Sequence, residues 1–256
     1  MSEVVLITGV HGGIGKCMAS SFISRGHRVI GSDLQEKSEG SLSLLDYFQL
    51  DLSNLDDVEK VMGRISGKYP EVTMVINNAG IANLELFLDE SDQKWQQVMD
   101  INFNSLVIST RYWLRFFQGK GGGHIANMAS MAGHISPSGM CSYSASKHAV
   151  VGFTESLGLE LRAQDIPVYI SLITPGFIKT DIMKIGHKNG FPEKLQALTT
   201  SPEKAGEKIV EALLNKERHI IPDSSGKVLK TINRFAPDLL MNANKLLSTK
   251  IFKKDK

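Results

Sequence analysis

The sequence has little cysteine, no long apolar run and almost no net charge, and each shortage removes a class of protein. Cys17 and Cys141 are the only cysteines among 256 residues. They are too few for a disulfide framework and lack metal-ligand spacing, so no metal site is expected and a reducing cytoplasm is the expected setting. No apolar stretch approaches the roughly 18 residues of a membrane-spanning helix. A strand-like run, Glu3 to Ile7, begins at once without a basic segment and apolar core before it, so no secretory signal is expected. The net charge is only +2, and nothing global points to nucleic acid. Internal repeats and low-complexity linkers are missing too. With 42% apolar and 22% charged residues, the chain has the composition of a globular protein and not of a disordered one.

The charge is nevertheless uneven. From Ser224 onward, Lys227, Lys230, Arg234, Lys245, Lys250, Lys253, Lys254 and Lys256 stand against Asp238 and Asp255, which is +6 and leaves −4 on residues 1–223. Apolar residues such as Val228, Phe235, Leu239 and Leu246 interleave with these lysines at near-helical steps. A basic amphipathic segment can lie on an anionic membrane surface. The plainer expectation is that it packs on the body or a partner subunit, because Pro237 and several asparagines break its stripe. Residues 1–223 are read as one domain and 224–256 as a basic C-terminal extension.

What the chain has in quantity is alternation of strand and helix. Glu3 to Ile7 reads as a buried parallel strand. It runs into T-G-V-H-G-G-I-G, Thr8 to Gly15, and then a helix. Strand, glycine-rich turn and helix together make a phosphate-binding reading: glycine lets backbone approach a pyrophosphate, and the helix start offers unpaired N–H groups. A second strand from Arg28 ends at Asp33, about 20 residues past the turn, where a carboxylate can accept from the adenosine ribose hydroxyls. Its charge opposes a 2′-phosphate, Leu34 supplies no guanidinium, and His11 and Lys37 are the nearest basic side chains. NAD is therefore expected over NADP.

Asp46 to Leu50 reads as a third strand, with Ser53 or Asn54 placed to cap the helix that follows. Val72 to Ile76 is the next strand and ends in N-N-A-G, Asn77 to Gly80. From Ser91 to Phe117 the apolar spacing predicts one long helix, with Asn102 in its middle where it competes for backbone hydrogen bonds. Asn102 either serves chemistry or satisfies a buried carbonyl. His124 to Met128 and Pro167 to Ile173 are further strands, the latter ending in T-P-G-F-I-K-T-D. Residues 181–202 carry Ile182, Met183, Phe191 and Leu195 among glycine and lysine, which suits a lid and an apolar substrate. A helix over Glu203–Lys216 and a short strand at His219 to Ile221 complete a three-layer, doubly wound α/β fold, a Rossmann-like, mostly seven-stranded parallel sheet with helices on both faces.

Tyr143 and Lys147 stand four residues apart at the start of a helix-like run, so both project from one helical face. Ammonium charge near a phenol lowers its pKa from about 10, which would make the pair an acid/base couple. Ser130 can join them only if the intervening loop folds back.

These motifs, in this order, resemble the short-chain dehydrogenase/reductase family in its roughly 250-residue branch. They are T-G-x-x-x-G-x-G at Thr8 to Gly15, N-N-A-G at 77–80, Ser130, Y-x-x-x-K at 143–147 and P-G at 175–176. The resemblance covers residues 3–222 and implies a hydride transfer between nicotinamide and a secondary alcohol or ketone. It implies Tyr143 as general acid/base, Lys147 lowering its pKa and holding the nicotinamide ribose, Ser130 on the substrate oxygen and Asn102 linking the lysine to solvent. It further implies cofactor contacts from Thr8, Gly9, Gly13, Ile14 and Gly15 at the pyrophosphate, Asp51 and Leu52 at adenine, and Asn78, Ala79 and Gly80 at the adenosine half. Pro175, Gly176, Ile178 and Thr180 fall at the nicotinamide end. A homodimer or homotetramer paired through the long helices is implied as well. Ala129 and Gly12 depart from the family's usual residues without removing a catalytic group. The rival readings are a lipid- or sterol-directed enzyme held at membranes by its tail, an NADPH-dependent reductase, and a cofactor-binding regulatory protein, whose mark would be a broken tetrad.

Overall fold

The computed structural model describes residues 2–36, 42–180 and 199–252. Seven strands, β1 (Val4–Thr8), β2 (Arg28–Asp33), β3 (Asp46–Gln49), β4 (Met74–Asn77), β5 (Gly123–Met128), β6 (Val168–Ile173) and β7 (His219–Ile220), form one sheet in the order β3-β2-β1-β4-β5-β6-β7. Every pairing is parallel. The winding direction reverses between β1 and β4, and sheets of this kind open a ligand crevice at the carboxyl ends of the strands flanking such a reversal.

Helices cover both faces: α1 (Gly13–Ser24), α2 (Leu55–Lys68), α3 (Asp92–Met99), α4 (Ser105–Lys120), α5 (Cys141–Ala163) and α6 (Pro202–Leu214). Two more, α7 (Ser224–Phe235) and α8 (Pro237–Phe252), follow the last strand. Strand β1 is buried at all five positions, and its alternation feeds two cores. Val4 and Leu6 pack with Val58, Met62, Trp113 and Phe117 on the α2/α4 side. Val5 and Ile7 pack with Met18, Phe22, Ile209 and Leu213 under α1 and α6. Each such side chain contributes about 1.5–3 kcal/mol by leaving water, which is why a continuous apolar run is stable only at the centre of a covered sheet.

Polar groups tie the central strands to the helices over them. Asn77 donates to Asn127 Oδ1 at 2.9 Å and to Thr110 Oγ1 at 3.2 Å, Ser109 donates to Asn77 Oδ1 at 2.8 Å, and Asn127 donates to Thr154 Oγ1 at 3.1 Å. All five residues are buried. Satisfied buried networks of this kind fix one arrangement of their elements, since each group costs free energy if left alone.

Two local expectations are corrected. The helix expected from Ser91 is not one α-helix: Asp100–Asn104 forms a π-helical turn between α3 and α4. Neither Ser53 nor Asn54 caps α2, because the Asn54 amide instead donates to Asp57 Oδ2 at 2.7 Å and the Ser53 hydroxyl to Asp51 Oδ1 at 2.7 Å. The expected lid lies outside the described residues over 181–198.

Candidate active site

The motifs meet along the carboxyl edge of the sheet. At the end of β1, Gly9 takes φ +67°, and a Cβ there would sit 2.8 Å from Ala79 Cα. A Cβ on Gly15 would lie 2.0 Å from Gly9 O, so α1 can start against the turn only as glycine. Gly13 faces Thr180, whose Cγ2 lies 3.1 Å from its would-be Cβ, and Ile14 packs on the core beneath. Helix α1 has Gly12 at its N-cap, with no side-chain cap and no acidic residue in its first turn. Its leading N–H groups are thus directed at whatever anion the cradle receives.

Thr8 and Asn78 weld this turn to the end of β4. Thr8 Oγ1 accepts from the N–H of Asn78 at 3.0 Å and of Ala79 at 3.2 Å, while the Asn78 amide donates to Thr8 O at 3.0 Å and Gly9 O at 3.1 Å. Asn78 therefore shapes the site through its side-chain NH₂, which is engaged with backbone.

Asp33 ends β2, and its carboxylate accepts from the His11 N–H at 2.9 Å and the Leu34 N–H at 2.8 Å. A carboxylate has about four acceptor sites, and among the described residues these two N–H groups take two of them. Tyr47 packs against His11 with ring centroids 5.2 Å apart. Burial and the Asp33 charge push its phenol up to about 12. Lys37 lies outside the described residues. Asp51, one residue past Leu50, accepts from the Ser53 N–H at 2.9 Å, and Leu52 packs on the core.

The loop after β5 does fold back. Ser130 accepts from the Ala132 N–H at 3.1 Å, and its hydroxyl stands beside the Tyr143 phenol, close enough to oppose the rise in that group's pKa. The Met131 N–H donates to Pro175 O at 2.8 Å, fixing this turn to the one after β6. One turn along α5 from Tyr143, Lys147 donates to Met128 O at 2.9 Å, with Nζ 5.8 Å from the Tyr143 ring centroid. Both side chains are buried. Burial pulls Lys147 down to about 8 from 10.5. The Tyr143 expectation needs correcting: burial pushes its phenol above 10, and only the neighbouring Ser130 hydroxyl opposes this. Desolvation penalises phenolate more than the lysine, itself desolvated, can restore.

Asn102 sits in the π-helical turn and does satisfy a part-buried carbonyl. Its Oδ1 accepts from the Ile81 N–H at 2.8 Å, and its Nδ2 donates to Ile81 O at 2.9 Å and Ser146 Oγ at 3.0 Å. It clips the chain after Gly80 to α5. A Cβ on Gly80 would lie 3.0 Å from Asn102 Oδ1 and 3.3 Å from Lys147 Nζ, so asparagine, glycine and lysine share one close-packed corner.

Past β6, Gly176 is held by a residue that sequence reasoning passed over. Its N–H donates to Asp223 Oδ1 at 2.7 Å, and a Cβ on it would strike Asp223 Oδ2 at 2.5 Å. Asp223 also caps α7 through the Gly226 N–H at 2.8 Å and accepts the Ser225 hydroxyl, which in turn accepts from the Phe177 N–H at 3.1 Å. An aspartate directly before Ser-Ser-Gly is a helix-start signal. Ile178 is buried and bridges to Thr200, and the Thr180 N–H donates to Ile178 O at 2.8 Å. Among the described residues, no cluster of histidine, cysteine or carboxylate could hold a metal ion.

A family model described as short chain dehydrogenase matches residues 3–189. The chain is 34% identical over 190 residues to 3beta-hydroxysteroid dehydrogenase 2 of Eggerthella lenta, covering 70% of this chain and 72% of that one. It is 32% identical over 189 residues to the 3-oxoacyl-[acyl-carrier-protein] reductase FabG of Vibrio cholerae, covering 71% and 76%. A short-chain dehydrogenase/reductase of Burkholderia phymatum solved in complex with NAD superposes with a TM-score of 0.79 at 25% identity, over 94% of this chain and 95% of that one. A relative from Burkholderia cenocepacia, solved with NADP, shares the fold with a TM-score of 0.77 at 21% identity, over 95% and 97%. Fold, motif order and sequence agree, and the chain belongs to the short-chain dehydrogenase family, oxidoreductases that act on CH–OH and C=O groups.

Proposed function

We propose that this protein interconverts an apolar secondary alcohol and its ketone with a nicotinamide dinucleotide, NAD in preference to NADP. The observation that carries the reading is the cluster of Ser130 beside buried Tyr143, with Lys147 one turn along α5, set at the same sheet edge as the glycine cradle. The cradle fits a dinucleotide, because it is a space that any Cβ would fill, facing an uncapped helix start. Gly9, Gly13, Ile14 and Gly15 would hold its pyrophosphate, Asp33 its adenosine ribose, Asp51 and Leu52 its adenine, Lys147 its second ribose, and Pro175, Gly176, Ile178 and Thr180 its reactive end. When bound, the dinucleotide gives or accepts the hydride.

The protein supplies the proton and the orientation. In the reducing direction Tyr143, kept protonated by its burial, donates its phenolic proton to the carbonyl oxygen. Ser130 donates a hydrogen bond to that oxygen as charge develops on it. In the oxidising direction the same phenol must first lose its proton, and Lys147 is the adjacent group that favours the anion. Asn102 holds the Gly80–Ile81 corner against α5 and so fixes where Lys147 stands. The Asp33 carboxylate suits a ribose diol and repels a phosphate, which supports NAD. The steroid and acyl substrates named for two relatives support an apolar substrate.

A screen of hydroxysteroids, 3-oxoacyl thioesters and simple ketones, followed by nicotinamide absorbance with each cofactor, tests the reading. Tyr143→Phe should lower turnover by about 10²–10⁴-fold while NAD binding stays near wild type. Turnover surviving in that variant would remove Tyr143 from its role, and tighter binding of NADPH than of NADH would overturn the cofactor assignment.

A further inference from the structure

We propose that α7 and α8 form a docking surface for an anionic lipid bilayer, in addition to any part they take in holding the active-site loop. Their inner side is committed. Asn233 donates to His134 O at 3.0 Å, Asn244 donates to Ser136 O at 2.8 Å and accepts from the Ser138 N–H at 3.2 Å, and the Ser138 and Ser248 hydroxyls bond at 2.8 Å. With Asp223 capping α7, these bonds fix which side of the helix pair faces away from the body.

That outward side is apolar and basic together. Val228, Phe235, Leu239 and Leu246 are 56% to 76% exposed. Lys227, Arg234 and Lys245 are exposed among them, and the Arg234 guanidinium lies 5.3 Å from the Phe235 ring centroid. Asp238 is the only acidic residue of the two helices. Lys230 points inward, where its charge is felt by His134 and His219. A bilayer surface satisfies both properties, taking apolar side chains below its headgroups and pairing lysine and arginine with anionic ones. An isologous contact with a second copy would bring two helix pairs of net charge +4 face to face, and nucleic acid would leave the apolar residues wet. No described helix is long and apolar enough to cross a membrane, so the contact lies along the surface.

A second apolar segment borders the same loop. The Glu85 N–H donates to Gly139 O at 2.9 Å, and Leu86, Phe87 and Leu88 beside it are exposed. The loop from Ser130 to Tyr143 is thus gripped by α7 and α8 at 134–138 and by Glu85 at 139, with exposed apolar side chains on both sides. Docking through these residues places that loop at the bilayer.

Sedimentation of the full chain with phosphatidylcholine vesicles, with and without about a quarter phosphatidylglycerol, tests this. The protein should bind the anionic vesicles at least about tenfold more tightly than the neutral ones, and high salt should weaken the binding. Phe235→Ser with Leu239→Ser should weaken binding about tenfold or more, as should joint reversal of Lys227, Arg234 and Lys245 to glutamate. Melting temperature and NAD binding serve as controls that each variant is folded. Equal partition to neutral and anionic vesicles, or unchanged binding by the Phe235/Leu239 variant, would overturn the proposal. So would duplex DNA binding as tight as vesicle binding. Loss of a solution dimer in that variant, with no vesicle binding by the parent, would assign the surface to a second copy instead.

Discussion

Removal of the Asp223 carboxylate is the most searching perturbation of this fold. The side chain is 1% exposed and accepts from the N–H groups of Gly176 and Gly226 and from the Ser225 hydroxyl. Asp223→Ala leaves both N–H groups buried without an acceptor. Hydrogen bonds to a charged acceptor are worth about 1.5–3 kcal/mol each, and loss of a helix cap, counted within that sum, about 0.5–2 kcal/mol. A destabilisation of about 3–6 kcal/mol follows, a large share of the 5–15 kcal/mol typical of a domain. Asp223→Asn keeps one oxygen and turns an NH₂ toward the other donor, for a smaller loss of about 2–3 kcal/mol. Urea unfolding should show the midpoint of the alanine variant lowered by more than about 1 M at an unchanged slope. The damage should reach the chemistry, because Pro175 beside Gly176 holds the Met131 N–H next to Ser130. Turnover of whatever substrate the screen identifies should therefore fall further than NAD affinity. A change in stability below about 0.5 kcal/mol would show that this carboxylate does not hold the turn, and the account of the clasp would be wrong.

Gly15→Ala places a methyl 2.0 Å from Gly9 O, and since that oxygen is backbone the turn must move. A loss of about 1–3 kcal/mol and a melting temperature lower by about 5 °C are expected. Gly67→Ala on α2, where nothing stands within 4 Å of the new methyl, should instead hold or gain stability, by up to about 1 kcal/mol; equal effects from the two would refute the steric reading. Buried His124 takes a proton only near pH 4 in the folded chain, first because of burial and second because of Lys216, against 6.5 ordinarily. Between those values the unfolded chain binds more protons, so stability falls as pH drops through that window, by up to roughly 3 kcal/mol. His124→Leu should flatten this acid-side loss in urea midpoints measured from pH 7 to about 4, and an unchanged slope would place the loss elsewhere.

The chain announces its sheet because each buried strand carries its burial in its own residues, as Val4–Thr8 does. Gly9, Gly13 and Gly15 are legible for the same reason, since a backbone approach leaves glycine behind. Pairwise and three-dimensional terms are not written locally. The Tyr143–Lys147 spacing shows two groups on one face, but the direction of the phenol's pKa depends on how deeply both are buried. Asn233 and Asn244 look in sequence like breaks in an apolar stripe, whereas in space they are the contacts that seat it. Asn54 has the right identity for a cap and loses that role to Asp57 three residues away. The π-helical turn leaves no mark in composition, because helical spacing continues on either side of it.

That turn acts as a gear between two helices. A residue added to a helix of 3.6 per turn offsets everything beyond it by about 100°. Through that offset a single rod meets two sets of neighbours, α3 lying against α5 while α4 lies against α2 and β5. The extra residue also turns Asn102 inward to the Ile81 backbone and Ser146. The geometry of the Asn102 corner and helix phase are thus one variable here. The length of this segment is set to the single residue, and its register carries information that no side chain in it carries alone.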